Sequence, residues 1–246
     1  KQAPPYIKVL GPDFPLTQRR LAVEARALEL YHTLVPGSVP RPLRFDAQAH
    51  ILLMEDLRGY RILRDALVDG DIRPAAAAAV GALMGAMHRA TLADEISPDL
   101  LARYQRDFDN VEMQAITADY VFTKPFRQDM TNRHTAGLET VVADIRADAA
   151  LRVMIRELRS RFLEAREGVV HGDLHTGSVM VRSDEARVID GEFAFFGPIA
   201  FDLAALTANY LLSWHGHVQG ADAAARTAAL IDCIETCWRA YSEAFG

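Results

Sequence analysis

Cysteine is almost absent. The 246 residues hold two, Cys233 and Cys237. They stand one turn apart in a segment that reads as helix. They form neither a C-x-x-C redox pair nor half of a zinc site, so two reduced thiols on a helix face of a cytosolic protein are expected. An excess of positive charge is missing too. Lysine and arginine number 27 against 33 aspartates and glutamates, a net charge of −6, and no basic block interrupts the mixture. That composition argues against a nucleic-acid partner. Long hydrophobic runs are lacking. The most apolar stretch, residues 75–87, is shorter than a bilayer span and carries Gly81 and Gly85, so no membrane partner is expected. No signal peptide, internal repeat or low-complexity linker is visible. Residue 1 already lies in a strand-like segment, so the absent leader carries little weight beside the expectation of a cytoplasmic location.

What the sequence does contain is core. Half of its residues are hydrophobic, enough to bury a sizeable interior in one or two domains. Residues 6–10 read as a short strand ended by Gly11, Pro12 and Pro15. Thr17 stands where it would cap a helix running to about Leu34. Residues 43–45 and 50–54 read as strands around the polar turn Asp46-Ala47-Gln48. Beyond Leu57 the pattern turns helical, over residues 62–68, 74–93, 141–144 onward, 151–164, 202–213 and 221–245. The aromatic stretch 120–126 reads as irregular, and residues 169–190 are the strand-rich part of this half. The expected architecture is α+β. A small strand-and-helix part spans residues 1–57, and a larger helical part over residues 58–246 holds one hairpin. A cleft between them would suit a small molecule.

That hairpin carries the chemistry. His171-Gly172-Asp173-Leu174-His175-Thr176-Gly177-Ser178 leads into an apolar strand, and Val188-Ile189 leads into Asp190-Gly191-Glu192-Phe193. Asp173, in a tight polar loop, could orient an attacking hydroxyl or take its proton; the alternative is an aspartate capping its own turn. Asp190 and Glu192 share a face if the chain is extended, and two carboxylates completed by phosphate oxygens and water are a usual way to hold Mg²⁺. A solvated loop end is the other reading, disfavoured by the apolar anchor Phe193-Ala194-Phe195-Phe196 that follows. Gly191 between the two allows close backbone approach. One carboxylate for a nucleophile and others for a metal are what phosphoryl transfer from ATP to a hydroxyl needs.

Other residues gain meaning from that site. Lys1 could meet ATP phosphates if Glu24 holds it, although Glu24 could equally pair with Arg20 one turn back on the helix surface. Glu55, Asp56 and Leu57 follow a strand at the boundary, where backbone groups could meet an adenine edge with Leu53 and Met54 as apolar walls. Asp202 reads first as a helix N-cap, with a role in bonding the catalytic loop also compatible. His171 and His175 lie on a loop without an evident third ligand, and His88 reads as a packed core histidine, so zinc is not expected.

These motifs resemble the kinase-like superfamily of aminoglycoside phosphotransferases and choline kinases, through His171-Gly172-Asp173 and the downstream Asp190. Within it the chain is similar to the S-methyl-5-thioribose kinase family. The narrower likeness rests on Ser178, where most of the superfamily has Asn, and on residues 190–198, 1–6, 24–28, 54–57 and 120–126. It runs from Lys1 to about Leu212. The resemblance implies a bilobal protein-kinase-like fold with a partial N-lobe. It implies that Asp173 binds and activates a sugar hydroxyl, that Lys1 contacts ATP phosphates and is held by Glu24, and that Glu55, Asp56 and Leu57 form the adenine hinge. Asp190, Gly191 and Glu192 would face the nucleotide phosphates, with Asp190, Glu192 and Ser178 as Mg²⁺ ligands. The implied reaction moves the γ-phosphate of ATP to the 1-hydroxyl of 5-methylthioribose, in methionine salvage, with a small sugar as partner and a homodimer as assembly. A kinase of another small alcohol (amino sugar, choline or homoserine) and a catalytically impaired binding homologue are the alternatives. Gly191 stands where the family usually has Pro, which is expected to loosen the loop. The family's glycine-rich loop ahead of Lys1 and its arginine pair near the C-terminus are not found, so a longer protein is expected.

Overall fold

Leucine, valine and alanine at helical spacing make the first helix. In the computed structural model, which describes residues 1–8, 11–129, 131–220 and 222–246, helix α1 (Arg19–Leu34) buries Leu21, Val23, Ala25, Leu28 and Tyr31. It ends at Leu34 as expected. Its N-cap is Gln18 rather than Thr17, and Thr17 Oγ1 accepts from Arg19 N at 3.3 Å from outside the helix. The strand expected over residues 6–10 does not form among the described residues. Tyr6 bridges Pro15, and Ile7 N donates to Phe14 O at 2.8 Å, so the segment folds back through Gly11 (φ +91°) instead of finding a neighbouring strand. Val9 and Leu10 lie outside the described residues.

Beside α1 lies an antiparallel hairpin, β1 (Pro42–Asp46) and β2 (Ile51–Met54). The Asp46 carboxylate accepts from Gln48 N at 3.0 Å and Ala49 N at 2.9 Å, closing the turn. Residues 1–3 run along the other edge of β2. Lys1 N donates to Leu52 O at 2.8 Å, and Leu52 N returns to Lys1 O at 2.9 Å. This edge pairing fixes where the Lys1 side chain starts.

The remainder is mostly helical: α2 (Leu63–Val68), α3 (Pro74–Thr91), α4 (Pro98–Asp107), α5 (Val111–Phe122), α6 (Glu139–Ala147), α7 (Ala149–Glu164), α8 (Ala200–Gly216) and α9 (Ala223–Phe245). Ala221, in the helix expected from residue 221, lies outside the described residues. None of the described helices is long and apolar enough to cross a membrane. Helices α4 and α5 lie where no helix was expected. Tyr120, Val121 and Phe122 are the last turn of α5, followed by a 3₁₀ turn over Lys124–Phe126. The periodicity is hidden because α4 buries no residue and α5 turns Gln114 and Thr117 inward beside Met113 and Ala118.

Short strands are woven through the helices. β3 (Arg61–Ile62), β5 (Val179–Arg182) and β6 (Glu185–Val188) form one antiparallel sheet in the order β3-β5-β6. Ile62 therefore ends a strand rather than opening a helix. β4 (Gly168–Val170) pairs with β7 (Phe195–Gly197), so the apolar anchor after Phe193 is itself strand.

The core of this part is the seam between α3 and α9. A Cβ at Gly81 would lie 2.3 Å from Cys237 O, and one at Gly85 would lie 2.4 Å from Tyr241 O. The two helices meet backbone to backbone, which only glycine permits there. A second cluster, Ala118, Phe162, Val170 and Phe195, backs the β4–β7 pair.

Candidate active site

β4 delivers the chain into a bend that only glycine fits. Gly172 has φ +80°, and a Cβ on it would lie 2.3 Å from Phe193 O. The bend is held from behind by a fully buried carboxylate. Asp202 Oδ2 accepts from His171 N at 2.6 Å and Oδ1 from Gly172 N at 3.0 Å. Asp202 sits inside the first turn of α8, whose N-cap is Ile199, so it is not the cap expected. Behind it, His88 is completely buried, with Nε2 3.7 Å from Asp202 Oδ2 and Nδ1 3.2 Å from Tyr241 Oη. His171 Nε2 reaches Ile189 O at 2.9 Å and ties the bend to the strand leading to Asp190.

Asp173 emerges from this bend with its side chain 44% exposed. Among the described residues no backbone amide donates to its carboxylate, so it does not cap its own turn. A 3₁₀ turn over Thr176–Ser178 follows, and Ser178 Oγ donates to Asp173 O at 2.9 Å. Ile189 N donates to Ser178 O at 2.9 Å, which sets the two loops side by side.

Asp190 and Glu192 come together, though not by strand alternation. Asp190 is left-handed (φ 61°, ψ 42°), and Gly191–Phe193 is a 3₁₀ turn. Non-glycine residues in that region are uncommon and concentrate at functional sites. Asn110 Nδ2 holds the turn by donating to Glu192 O at 2.9 Å and Ala194 O at 3.0 Å. Gly191 is buried against α1, where its Cβ would lie 3.1 Å from Ala27 Cβ. The close approach expected of it is present, and the loop is packed here rather than loosened.

Lys1 Nζ meets this turn from the other side of the cleft. It lies 2.8 Å from Glu24 Oε2, 2.7 Å from Asp190 Oδ1 and 3.2 Å from Glu192 Oε2. The alternative Arg20–Glu24 surface pair does not form. Both side chains are buried, and the Arg20 guanidinium donates to Pro4 O at 2.9 Å and to Thr17 O, with Nε 3.7 Å from Glu192 Oε2. Burial pushes the Glu24 carboxyl up to about 7 against the pull of Lys1. Burial also opposes the charge on Lys1, but Glu24, Glu192 and Asp190 together hold it above the ordinary lysine range.

A cleft of about 360 Å³ opens beside Lys1. Glu24, Leu28, Pro40 and residues 54–57 line one side, and Met180, Ile189 and Asp190 line the other. Glu55, Asp56 and Leu57 thus reach the same space as Lys1 and Asp190. Leu53 does not wall it: strand alternation buries Leu52 and leaves Leu53 exposed.

Residues 9–243 match the phosphotransferase enzyme family over nearly the whole chain. The chain belongs to that family. Among the relatives of this family member are the methylthioribose kinase of Enterobacter sp. (strain 638), 32% identical over 248 residues, and that of Geobacillus kaustophilus (strain HTA426), 35% identical over 245. Each alignment covers 100% of this chain but 62% and 61% of the relative, so the chain spans about three-fifths of their length. A solved glucosamine kinase (crystal form A) superposes with a TM-score of 0.53 at 20% identity, covering 90% of this chain and 57% of its own. That likeness bears out the α+β, protein-kinase-like fold.

Several parts of the candidate site gave no sequence signal. Asn110 and Thr117, whose Oγ1 donates to Gly172 O at 3.4 Å, lie in the unforeseen α5 and its start. Arg20 looked like an ordinary surface arginine on an amphipathic helix.

The donor chemistry of the residues present fits magnesium. Among the described residues no group of three or more His, Cys, Asp and Glu side chains is gathered for an ion. Asp190 and Glu192 offer two hard oxygen ligands, which suits a cation that keeps water and substrate phosphate in its shell. The Ser178 hydroxyl is buried and committed to the Asp173 carbonyl, so it fits that role less well.

Proposed function

We propose that this phosphotransferase transfers the γ-phosphate of ATP to the 1-hydroxyl of 5-methylthioribose. The observation that carries the reaction type is the convergence of Lys1, Glu24, Asp190 and Glu192 at one end of a cleft, with Asp173 on the adjoining loop. The choice of acceptor is supported by the two methylthioribose kinases at 32% and 35% identity. In this reading residues 1–57 act as a nucleotide-binding lobe and residues 58–246 as the catalytic lobe.

Each residue then has a task. Glu55, Asp56 and Leu57 offer backbone groups and an apolar wall to the adenine. Lys1, oriented by Glu24, binds the phosphates. Asp190 and Glu192 would hold Mg²⁺, which when bound neutralises charge on the phosphate oxygens. Gly191 lets these two carboxylates sit against α1. Asp173 orients the acceptor hydroxyl and accepts its proton as the hydroxyl oxygen bonds to the γ-phosphorus and the bond from that phosphorus to the departing ADP breaks. Such a site works by positioning and charge stabilisation of an in-line transfer.

The test is a panel of small alcohols with coupled detection of ADP, run on the full-length protein with Mg²⁺. Turnover of 5-methylthioribose above amino sugars, choline and homoserine is expected. A clear preference for any of the others overturns the acceptor assignment and leaves the reaction type standing. Asp173→Ala is expected to abolish turnover while nucleotide still binds, and Asp190→Ala to weaken nucleotide binding in a Mg²⁺-dependent way. Full turnover in the first variant, or unchanged affinity across a Mg²⁺ titration in the second, refutes the corresponding role. Light scattering on the same sample reads the homodimer that the family resemblance implies.

A further inference from the structure

His175 has no task in the scheme above, yet its ring is one of the most constrained groups in the loop. Its Nδ1 accepts from Gly177 N at 2.9 Å, so in the neutral imidazole the proton sits on Nε2. Nε2 lies 3.6 Å from Asp173 Oδ2. The ring folds back over the space above Gly177, where a Cβ would lie 2.6 Å from His175 Cε1 and 2.8 Å from Nδ1. Gly177 is not in the left-handed region, so that position needs the missing side chain rather than the glycine's conformational freedom. Ser178 Oγ, 3.4 Å from the same Nδ1, is the hydroxyl that donates to Asp173 O.

We propose that His175 is a positioning residue for the Asp173 carboxylate. With the acceptor bound, its Nε2–H closes on Asp173 Oδ2 from the 3.6 Å seen here and leaves Oδ1 to face the acceptor hydroxyl. The proposal rests on the phosphotransferase reading of the site. No other group fixes that carboxylate: among the described residues neither a backbone amide nor a second side chain donates to it. Without His175 its side-chain torsion is free, and either oxygen or neither faces the acceptor. A separation of 3.6 Å is long for a hydrogen bond, and such contacts tighten in the substrate complex of many enzymes. The histidine keeps its proton throughout, because the hydroxyl proton passes to Asp173.

Two substitutions in the full-length protein separate this role from mere bracing of the loop. His175→Asn keeps an acceptor where Nδ1 sits and can still take Gly177 N–H, but it is too short to reach Asp173. His175→Gln reaches the position of Nε2 with an N–H donor and gives up Gly177. A bracing role favours Asn, whereas the positioning role favours Gln. We expect His175→Asn to lower kcat about 10- to 100-fold, the worth of one charge-assisted hydrogen bond at the reacting group, with both KM values within about twofold. His175→Gln should recover most of kcat. Wild-type kcat in the Asn variant overturns the proposal.

Gly177→Ala gives an independent arm, because the added methyl displaces the ring without changing the histidine. It should reproduce the kcat loss, and joining it to His175→Asn should add nothing further. Additive losses count against the proposal. A third readout needs no turnover. In a long-range proton–nitrogen spectrum, His175 should show a bare Nδ1 and a protonated Nε2, and Asp173→Asn should shift the Nε2 resonance. An Nε2 that ignores Asp173→Asn overturns the contact. Failure of the wild type to phosphorylate any alcohol counts against the function instead.

Discussion

In the proposed function, Glu24 works in opposite directions on stability and on nucleotide binding. Burial raises its pKa from 4.5 to about 7, so the fold favours its neutral form. Its contribution to stability is fully present below the unfolded value near 4.5 and is lost as pH rises through about 7. The ionised form is the one that orients Lys1. When Glu24 is protonated, Asp190 and Glu192 hold the lysine alone and draw it onto the carboxylates that a metal needs. Between pH 5 and 8 the wild type should therefore lose resistance to urea while its KM for ATP falls. Glu24→Gln should show neither trend, with a KM for ATP about tenfold above the wild type at pH 8, roughly 1.4 kcal/mol. Urea midpoints and ATP titrations across that range read both, and parallel trends in the two proteins contradict the account. At this scale the sequence was informative. Asp173, Asp190 and Glu192 stood out by motif and spacing and Lys1 and Glu24 by family resemblance, and the structure brings Lys1 Nζ within 3.2 Å of Glu24, Asp190 and Glu192. The left-handed conformation of Asp190 was not legible, since the turn it opens is held by Asn110 and packed against α1, both far away in sequence. Asp202 read first as a helix N-cap; the structure gives it the other compatible role, bonding the Gly172 bend, through partners 30 and 31 residues back.

The elements most exposed to a single change are α3 and α9. Gly81 and Gly85 were legible only as residues unsuited to a membrane span. Their real importance needs the partner helix, which no local pattern names. A methyl at Gly81 would press into the Cys237 carbonyl, and backbone cannot yield as a side chain can. Gly81→Ala should cost about 1–3 kcal/mol or more by overpacking, read as a lower melting temperature. Cys233 and Cys237 report on the same seam. Burial pushes both thiols up to about 12, so the native protein should resist a thiol reagent at pH 8. Labelling should accelerate in Gly81→Ala as α9 detaches more often, and equal rates in the two proteins would mean that the seam is not what protects the thiols. Other elements escaped the sequence for related reasons. β3 and β7 are two and three residues long, too short for any period, and exist because β5 and β4 pair with them. Helix α5 was obscured by the polar residues it turns inward to serve the Gly172 bend and α7.

Across the whole molecule, the change of character near Leu57 was visible as strand pattern giving way to helical pattern. How the two parts join was not, because Lys1 spans 189 residues of chain to reach Asp190. The cleft behind that contact is walled by both parts, with Leu28, Pro40 and Met54 facing Met180 and Ile189. A nucleotide seated there touches both, so its binding free energy should stabilise them as one unit. At a concentration about 100 times its Kd, Mg·ATP should add about 2.7 kcal/mol. For a chain of this size that is a rise of about 5–10 °C in Tm. The expected melt is a single transition that moves as a whole. Asp173→Ala should keep the rise, since the proposed role of Asp173 is toward the acceptor, and Asp190→Ala should lose most of it. Two transitions of which only one moves would mean that the nucleotide binds within one part. A rise preserved in Asp190→Ala would mean that it binds away from the turn that Lys1 clasps.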